Sequence, residues 1–155
     1  DTKGNPRASV AQTYEMAYTL KQNGFNSIII HETKDYTGVG EWLGEKYTTL
    51  DHISVDGQDL SISPEDFVII PELYGHVMDQ VQKLPCGKIV ICQSYDYMLE
   101  TLTPGASWSQ YGFLKCITTS PEQEKVAAEI MKNVSFDILS PVISESFYKK
   151  QTPYV

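Results

Sequence analysis

Short runs of apolar residues alternate along this chain with segments in which apolar residues recur every three or four positions. The runs are continuous in hydrophobicity, which is typical of strands that are covered on both faces in a parallel sheet. Four runs are strong and two are weaker: 27–31, 67–70, 88–92 and 113–118, and then 52–55 and 136–139.

Three of the intervening segments have the period of a helix. The first follows Ser9 or Asn5 as a candidate N-cap and ends at Asn23-Gly24. The second covers 73–84, and the third opens with Ser120-Pro121-Glu122, a sequence typical of a capped helix start. Strands and helices in regular alternation predict an α/β class, namely a Rossmann-like open parallel sheet with helices on both faces.

The length of 155 residues fits one domain, and no repeat or linker divides the sequence. We therefore expect a single Rossmann-like domain over residues 1–155. A doubly wound unit usually begins with a strand, whereas this sequence opens with a loop and a helix. The expectation is that the first strand of the unit is lacking.

Charge and cysteine content narrow the functional classes. Twenty acidic residues against twelve Lys and Arg leave a net charge of −8, which argues against nucleic acid or an anionic membrane surface as partner. No segment approaches the length of a membrane span. The cysteines, Cys86, Cys92 and Cys116, are odd in number and lie in or beside apolar runs, so we expect buried thiols and a cytoplasmic location.

Common catalytic motifs are absent from the sequence. It contains no nucleophile elbow, no P-loop, no zinc-protease helix and no paired Cys/His spacing. A glycine-containing segment at 38–44 approaches a dinucleotide fingerprint, but it begins too far after the run at 27–31 to form the required turn. We expect no metal and no cofactor.

Ligands of open α/β sheets bind where the strands end, so the residues at those places are the candidates. Before the first helix, a glycine and two cations suit a phosphate, or alternatively form a solvated loop with a helix cap. After the strands stand an imidazole, a carboxyl group, an amide, a hydroxyl and two phenol rings, which suit a hydroxyl-rich ligand or alternatively serve packing and capping. The candidates are Lys3, Gly4, Asn5 and Arg7 on the phosphate side and His31, Glu72, Tyr74, Gln93, Tyr95 and Ser120 in the cleft.

The succession of these pieces resembles a known family. The pieces are Lys3-Gly4-Asn5 before a long helix, then 68–74, 88–95, 117–120 and 138–147. In order and spacing they resemble the N-terminal half of nucleotide-sugar glycosyltransferases of the GT-B fold, of the group 1 or family 4-like type.

That resemblance implies a two-domain enzyme whose N-terminal half binds mainly the acceptor and whose C-terminal half holds most of the nucleotide-sugar. The expected partners are a nucleotide-sugar donor, a sugar or glycoconjugate acceptor and the missing C-terminal domain, in polysaccharide biosynthesis. Gly4 stands where the family's glycine-rich loop approaches the donor diphosphate, and Asn5 replaces a second glycine. Gln93 stands where many relatives carry a histidine.

The resemblance assigns no catalytic residue, and we expect the isolated chain to be inactive because stabilising a leaving diphosphate needs more cations than Lys3 and Arg7. The alternative is a non-catalytic α/β binding module for a sugar, a nucleotide or a protein partner. A second Rossmann-like half encoded downstream would favour the transferase.

Overall fold

A computed structural model of the protein describes residues 7–34, 43–56 and 60–141. Helices and strands alternate through these ranges, as the apolar pattern predicts. The α-helices are α1 (Ala8–Gln22), α2 (Met78–Val81), α3 (Tyr95–Glu100) and α4 (Pro121–Ile130). The strands are β1 (Ile28–His31), β2 (Asp51–Ser54), β3 (Phe67–Pro71), β4 (Gly87–Cys92), β5 (Lys115–Thr118) and β6 (Ser135–Ile138). Short 3-10 helices lie at Glu45–Thr49, Glu72–Val77 and Trp108–Tyr111.

The described strands pair in parallel throughout. β1 pairs with β2, and β3, β4, β5 and β6 form a four-stranded sheet in that order. The predicted α/β class with a Rossmann-like parallel sheet is therefore confirmed. The described residues group into two compact units, one up to Leu60 and the other comprising Ser61–Ser140. The single domain over 1–155 stays a prediction.

The first unit is built on α1 and the β1–β2 pair. Three residues of α1 are buried, Val10, Tyr14 and Ala17, at spacings of four and three positions, and their side chains pack with Leu43, Tyr47 and Leu50. Lys46 lies 2.9 Å from Glu15 and also sits over the rings of Tyr18 and Tyr47. This cluster anchors the 3-10 helix at Glu45–Thr49 to α1.

The ends of α1 follow the prediction only in part. The helix closes at Asn23 and Gly24 as expected, and Gly24 has the positive φ of 87° that favours glycine. The N-cap position is occupied by Arg7, whose side chain makes no capping bond, and Ser9 lies inside the helix. The expectation that Ser9 caps the helix is wrong, and Asn5 lies outside the described residues.

The core of the second unit joins the four-stranded sheet to its connecting segments. Strand residues such as Ile70, Val90 and Cys116 meet buried side chains from every connecting segment. These include Met78, Met98, Trp108, Phe113 and Ala127, all fully buried. The three cysteines are free thiols and buried, as predicted.

Local structure after β3 departs from the prediction. The segment 73–84 has the apolar spacing of one helix, yet it forms a 3-10 helix at Glu72–Val77 followed by the single turn of α2. Tyr74 has non-helical angles inside this segment. Gly75 lies so close to Thr101 that a Cβ there would stand 2.3 Å from its carbonyl oxygen, so the position requires glycine.

No helix among the described residues is long and apolar enough to cross a membrane.

We predict that Gly75→Ala destabilises the second unit far more than Gly87→Ala does. Alanine at 75 would collide with the backbone of Thr101, whereas alanine at 87 would meet the ring of Phe67, which is 69% exposed and free to rotate. We expect a loss of at least about 2 kcal/mol for Gly75→Ala and under about 1 kcal/mol for Gly87→Ala in chemical unfolding. Equal losses would contradict the close approach of Gly75 to Thr101.

Candidate functional site

Three strand ends of the four-stranded sheet come together at its carboxyl edge. β3 is followed by Glu72, β4 by Gln93 and Ser94, and β5 by Thr119 and Ser120. Because the strands are parallel and in register, these residues share one edge, which we call the strand-end rim. Three of the predicted cleft residues, Glu72, Gln93 and Ser120, belong to it.

Within the strand-end rim, Glu72 is fully buried. Its Oε1 accepts hydrogen bonds from the backbone N–H groups of Gln93, at 3.0 Å, and Ser94, at 2.8 Å. The carboxyl group therefore joins the end of β3 to the end of β4. In the described structure the carboxyl group of Glu72 positions the backbone of Gln93 and Ser94. Its contact with a ligand stays a prediction.

The buried carboxyl group of Glu72 has a pKa raised above its ordinary value. Burial is the largest cause, because removing the carboxylate from water disfavours its charge. Hydrogen bonds from the backbone of Gln93, of Glu72 itself and of Ser94 act in the opposite direction and favour the charged form. Desolvation outweighs these bonds.

Gln123 on α4 connects the other two strand ends. Its side-chain N–H donates to the carbonyl oxygen of Gln93 at 2.6 Å, and its Oε1 accepts from the backbone N–H of Thr119 at 3.0 Å and from the hydroxyl of Thr119. The backbone N–H of Gln123 donates to Ser120 Oγ at 3.2 Å, so Ser120 caps α4 as its sequence context predicts. Hydrogen bonds thus run from β3 through β4 to β5.

The two predicted cleft tyrosines differ in exposure. Tyr95 is the first residue of α3, next to Ser94, and 37% of its surface is exposed. Tyr74 is half-buried and packs against the core of the second unit, with its ring centroid 5.9 Å from that of His76. Tyr95 therefore offers the rim an accessible aromatic surface.

The segments that form the rim are neutral or acidic. Residues 72–77, 93–100 and 119–124 contain no Lys or Arg, but they include Glu72, Asp96, Glu122 and Glu124. Acidic side chains also occupy the first turn of α4, where they complement the helix dipole. A bound diphosphate would find no compensating cation within these segments.

Of the four residues predicted to contact a phosphate, Lys3, Gly4 and Asn5 lie outside the described residues. The fourth, Arg7, is the exposed N-cap residue of α1 in the first unit. The first turn of α1 contains no charged side chain. The role of Arg7 in phosphate binding stays a prediction.

His31 ends β1 in the first unit, where it is buried and paired with His52. Its Nε2 lies 2.9 Å from His52 Nδ1, and the two rings stack with centroids 5.2 Å apart. His52 Nε2 lies 3.3 Å from the carbonyl oxygen of Tyr47, which only accepts, so this nitrogen carries the proton. In the neutral pair His31 Nε2–H therefore donates to His52 Nδ1.

The pKa of His31 is lowered from 6.5 to about 4. Burial is the first cause and the neighbouring charge of a protonated His52 is the second. His31 is thus held neutral at physiological pH. That environment suits a structural histidine pair, one of the two alternatives open from the sequence.

Several contributors to these sites carry no sequence signal that singles them out. Gln123 is one polar residue on an exposed helical turn, and its link to Gln93 spans 30 residues of sequence. Thr101 donates its hydroxyl to the carbonyl oxygen of Glu72 at 2.8 Å across 29 residues. The contact between His31 and His52 depends on β1 and β2 being neighbours. Their register places His52 opposite Ile29, which lies two residues before His31 on the same face of β1.

Within the ranges that the structure describes, no group of three or more His, Cys, Asp or Glu side chains is arranged to hold a metal ion. Comparisons with protein-family models, with curated proteins and with solved structures find no match to this chain.

We predict that the first unit loses stability as pH falls from about 6.5 towards about 4. The folded pKa of His31 lies below its unfolded value, so the unfolded chain binds more protons in this window and the stabilisation, complete above pH 6.5, is lost. The loss is at most about 3 kcal/mol.

Amide signals of the first unit, followed during chemical unfolding at several pH values, would measure that loss. His31→Gln keeps a hydrogen-bond donor but removes the titrating ring, so its stability should change less over the same window. An equal pH dependence in both proteins would rule out His31 as its source.

Proposed function

We propose that this chain forms the acceptor side of a nucleotide-sugar glycosyltransferase of the GT-B fold that builds a surface polysaccharide or glycoconjugate. The observation that carries the proposal is the strand-end rim, in which carboxyl ends of parallel strands gather amide, hydroxyl and aromatic groups at one edge. The fold class is the one that the resemblance implies. The resemblance itself rests on the order and spacing of motifs along the sequence.

The chemistry of the rim favours an acceptor over a donor diphosphate. Hydroxyl groups of a sugar pair well with amide and hydroxyl groups, and the apolar face of a sugar ring packs on an aromatic side chain. Gln93, Ser94 and Tyr95 follow one another along the chain and offer these groups. The absence of Lys and Arg from residues 72–77, 93–100 and 119–124 disfavours a diphosphate there.

Catalysis would then need a second set of groups. Glycosyl transfer requires that the leaving diphosphate be stabilised and that the acceptor hydroxyl be held in line with the reacting carbon. The rim is suited to the second task, and Lys3, Gly4, Asn5 and Arg7 are the candidates on this chain for part of the first. The proposal assigns the rest to a C-terminal domain.

We predict that neutral oligosaccharides bind this chain at the rim and that Tyr95→Ala weakens that binding at least about fivefold. A stacked ring contributes on the order of 1 kcal/mol, which corresponds to that change. Titration with chitotriose and mannotriose, followed by amide chemical shifts of residues 93–97, would measure it. Tyr97→Ala is the matched control, because Tyr97 lies on the same helix with the same exposed fraction of 37%.

UDP-glucose and GDP-mannose provide the second arm of the titration. The proposal expects the isolated chain to bind them weakly and to transfer no sugar. Tight binding of either donor by this chain alone would contradict the assignment of the donor to another domain. If Tyr95→Ala leaves glycan binding unchanged, the acceptor site does not lie at the rim. That result would favour the alternative, a non-catalytic binding module that binds its ligand through another surface.

A further inference from the structure

One residue, Glu72, holds both ends of helix α3. At the N-terminal end its Oε1 accepts the N–H groups of Gln93 and Ser94, and Ser94 occupies the N-cap position of the helix without making a side-chain capping bond. At the C-terminal end the hydroxyl of Thr101, the C-cap residue, lies 2.8 Å from the carbonyl oxygen of Glu72 and 2.7 Å from that of Tyr97, so its one proton is shared between these two acceptors. A helix of six residues is marginal by itself, so these external bonds set its position.

The second carboxyl oxygen of Glu72 is buried and has no hydrogen-bond partner among the described residues. A buried carboxylate oxygen without a partner or a counter-charge costs considerably more free energy than the same atom in a neutral carboxylic acid. Within the described ranges, no Lys, Arg or His forms an ion pair with Glu72. The site therefore favours a proton on this residue.

The neighbouring elements supply neutral groups. Among the described residues, Cys116 on β5 interacts electrostatically with Glu72. Its thiol has a raised pKa because of its hydrogen bond with Cys92 on β4, its burial and the nearby charges of Cys92 and Glu72. α3 contributes the hydroxyl of Thr101, and α4 contributes the neutral amide of Gln123, which binds Gln93. A negative charge on Glu72 would face these thiols with no cation to balance it.

We propose that Glu72 is a positioning residue that carries a proton in the folded protein, and that loss of this proton loosens the start of α3 and with it the strand-end rim. Ionisation would strengthen the two N–H bonds to Oε1, but it would leave Oε2 as an unsolvated anion. Water reaching that oxygen, or the side chain moving towards water, would release Gln93 and Ser94. The rim is then more ordered in mildly acidic than in alkaline solution.

Burial raises the folded pKa of Glu72 above the ordinary 4.5. As pH rises, the unfolded or opened state therefore loses this proton at a lower pH than the folded state does. The stabilisation is complete below the ordinary pKa and disappears as pH rises through the folded pKa. Ordering of the rim does not depend on any ligand, so this inference stands or falls separately from the proposed function.

Hydrogen-exchange protection of the Gln93 and Ser94 amides tests the inference between about pH 5 and about pH 8. In the unmodified chain, protection factors should fall by about tenfold for each pH unit between the ordinary and the folded pKa of Glu72, and should level off above the folded pKa. Glu72→Gln keeps a carbonyl oxygen for both amides and cannot ionise, so its protection factors should stay constant and exceed those of the unmodified chain at the alkaline end.

Thr101→Val is the matched control, because it cuts the bond at the other end of α3 without adding or removing a titrating group. It should lower protection at all pH values by the same factor and leave the pH dependence in place. Constant protection in the unmodified chain would overturn the inference. So would loss of protection in Glu72→Gln at every pH, because that result would mean that the amides need the charged carboxylate.

Discussion

The hydrogen bonds between the Glu72 carboxyl group and the backbone of Gln93 and Ser94 are the constraint on which the strand-end rim depends. Parallel strands bring their carboxyl ends to one edge, but the loops that follow are free to take many paths. Glu72 fixes one of these paths by accepting hydrogen bonds from Gln93 and Ser94, and Gln123 fixes the next by bonding to Gln93 and Thr119. Together they turn three separate loops into a connected surface.

The same constraint shapes the chemistry that the rim offers. The carboxyl group of Glu72 is engaged with backbone and removed from solvent, so the groups left for a ligand are those of Gln93, Ser94, Tyr95 and their neighbours. These are neutral and polar or aromatic, which suits a hydroxyl-rich molecule better than a phosphate. The proposed division between an acceptor side and a donor side follows from that chemistry together with the sequence resemblance.

How much the sequence predicts differs between the sheet and the site. The six strands are predictable because continuous apolar runs such as 67–70 and 88–92 have few other stable arrangements in a chain of this size. The capped start of α4 is predictable because Ser120 and Pro121 act locally. The single helix predicted over 73–84 is instead a 3-10 helix and one α-helical turn, and the close contact of Gly75 with Thr101 in this segment is made across 26 positions, where no local pattern reports it.

The placement of Glu72 is the clearest case of this limit. Its position after β3 correctly predicts that it lies at the carboxyl edge, but a glutamate at a helix start is normally exposed. Its burial arises from tertiary contacts with the ends of β4 and α3, which lie more than 20 residues away. The place of Glu72 at the carboxyl edge is thus encoded locally, whereas its burial is set by packing.

The most direct test of this account is the titration of the Glu72 carboxyl carbon by carbon-13 NMR, assigned by its absence in Glu72→Gln. The account predicts a midpoint above the ordinary 4.5, with the amide signals of Gln93 and Ser94 shifting in the same pH range. A midpoint at or below that value, with both amides unaffected, would show that Glu72 is ionised in the folded protein and would contradict the account.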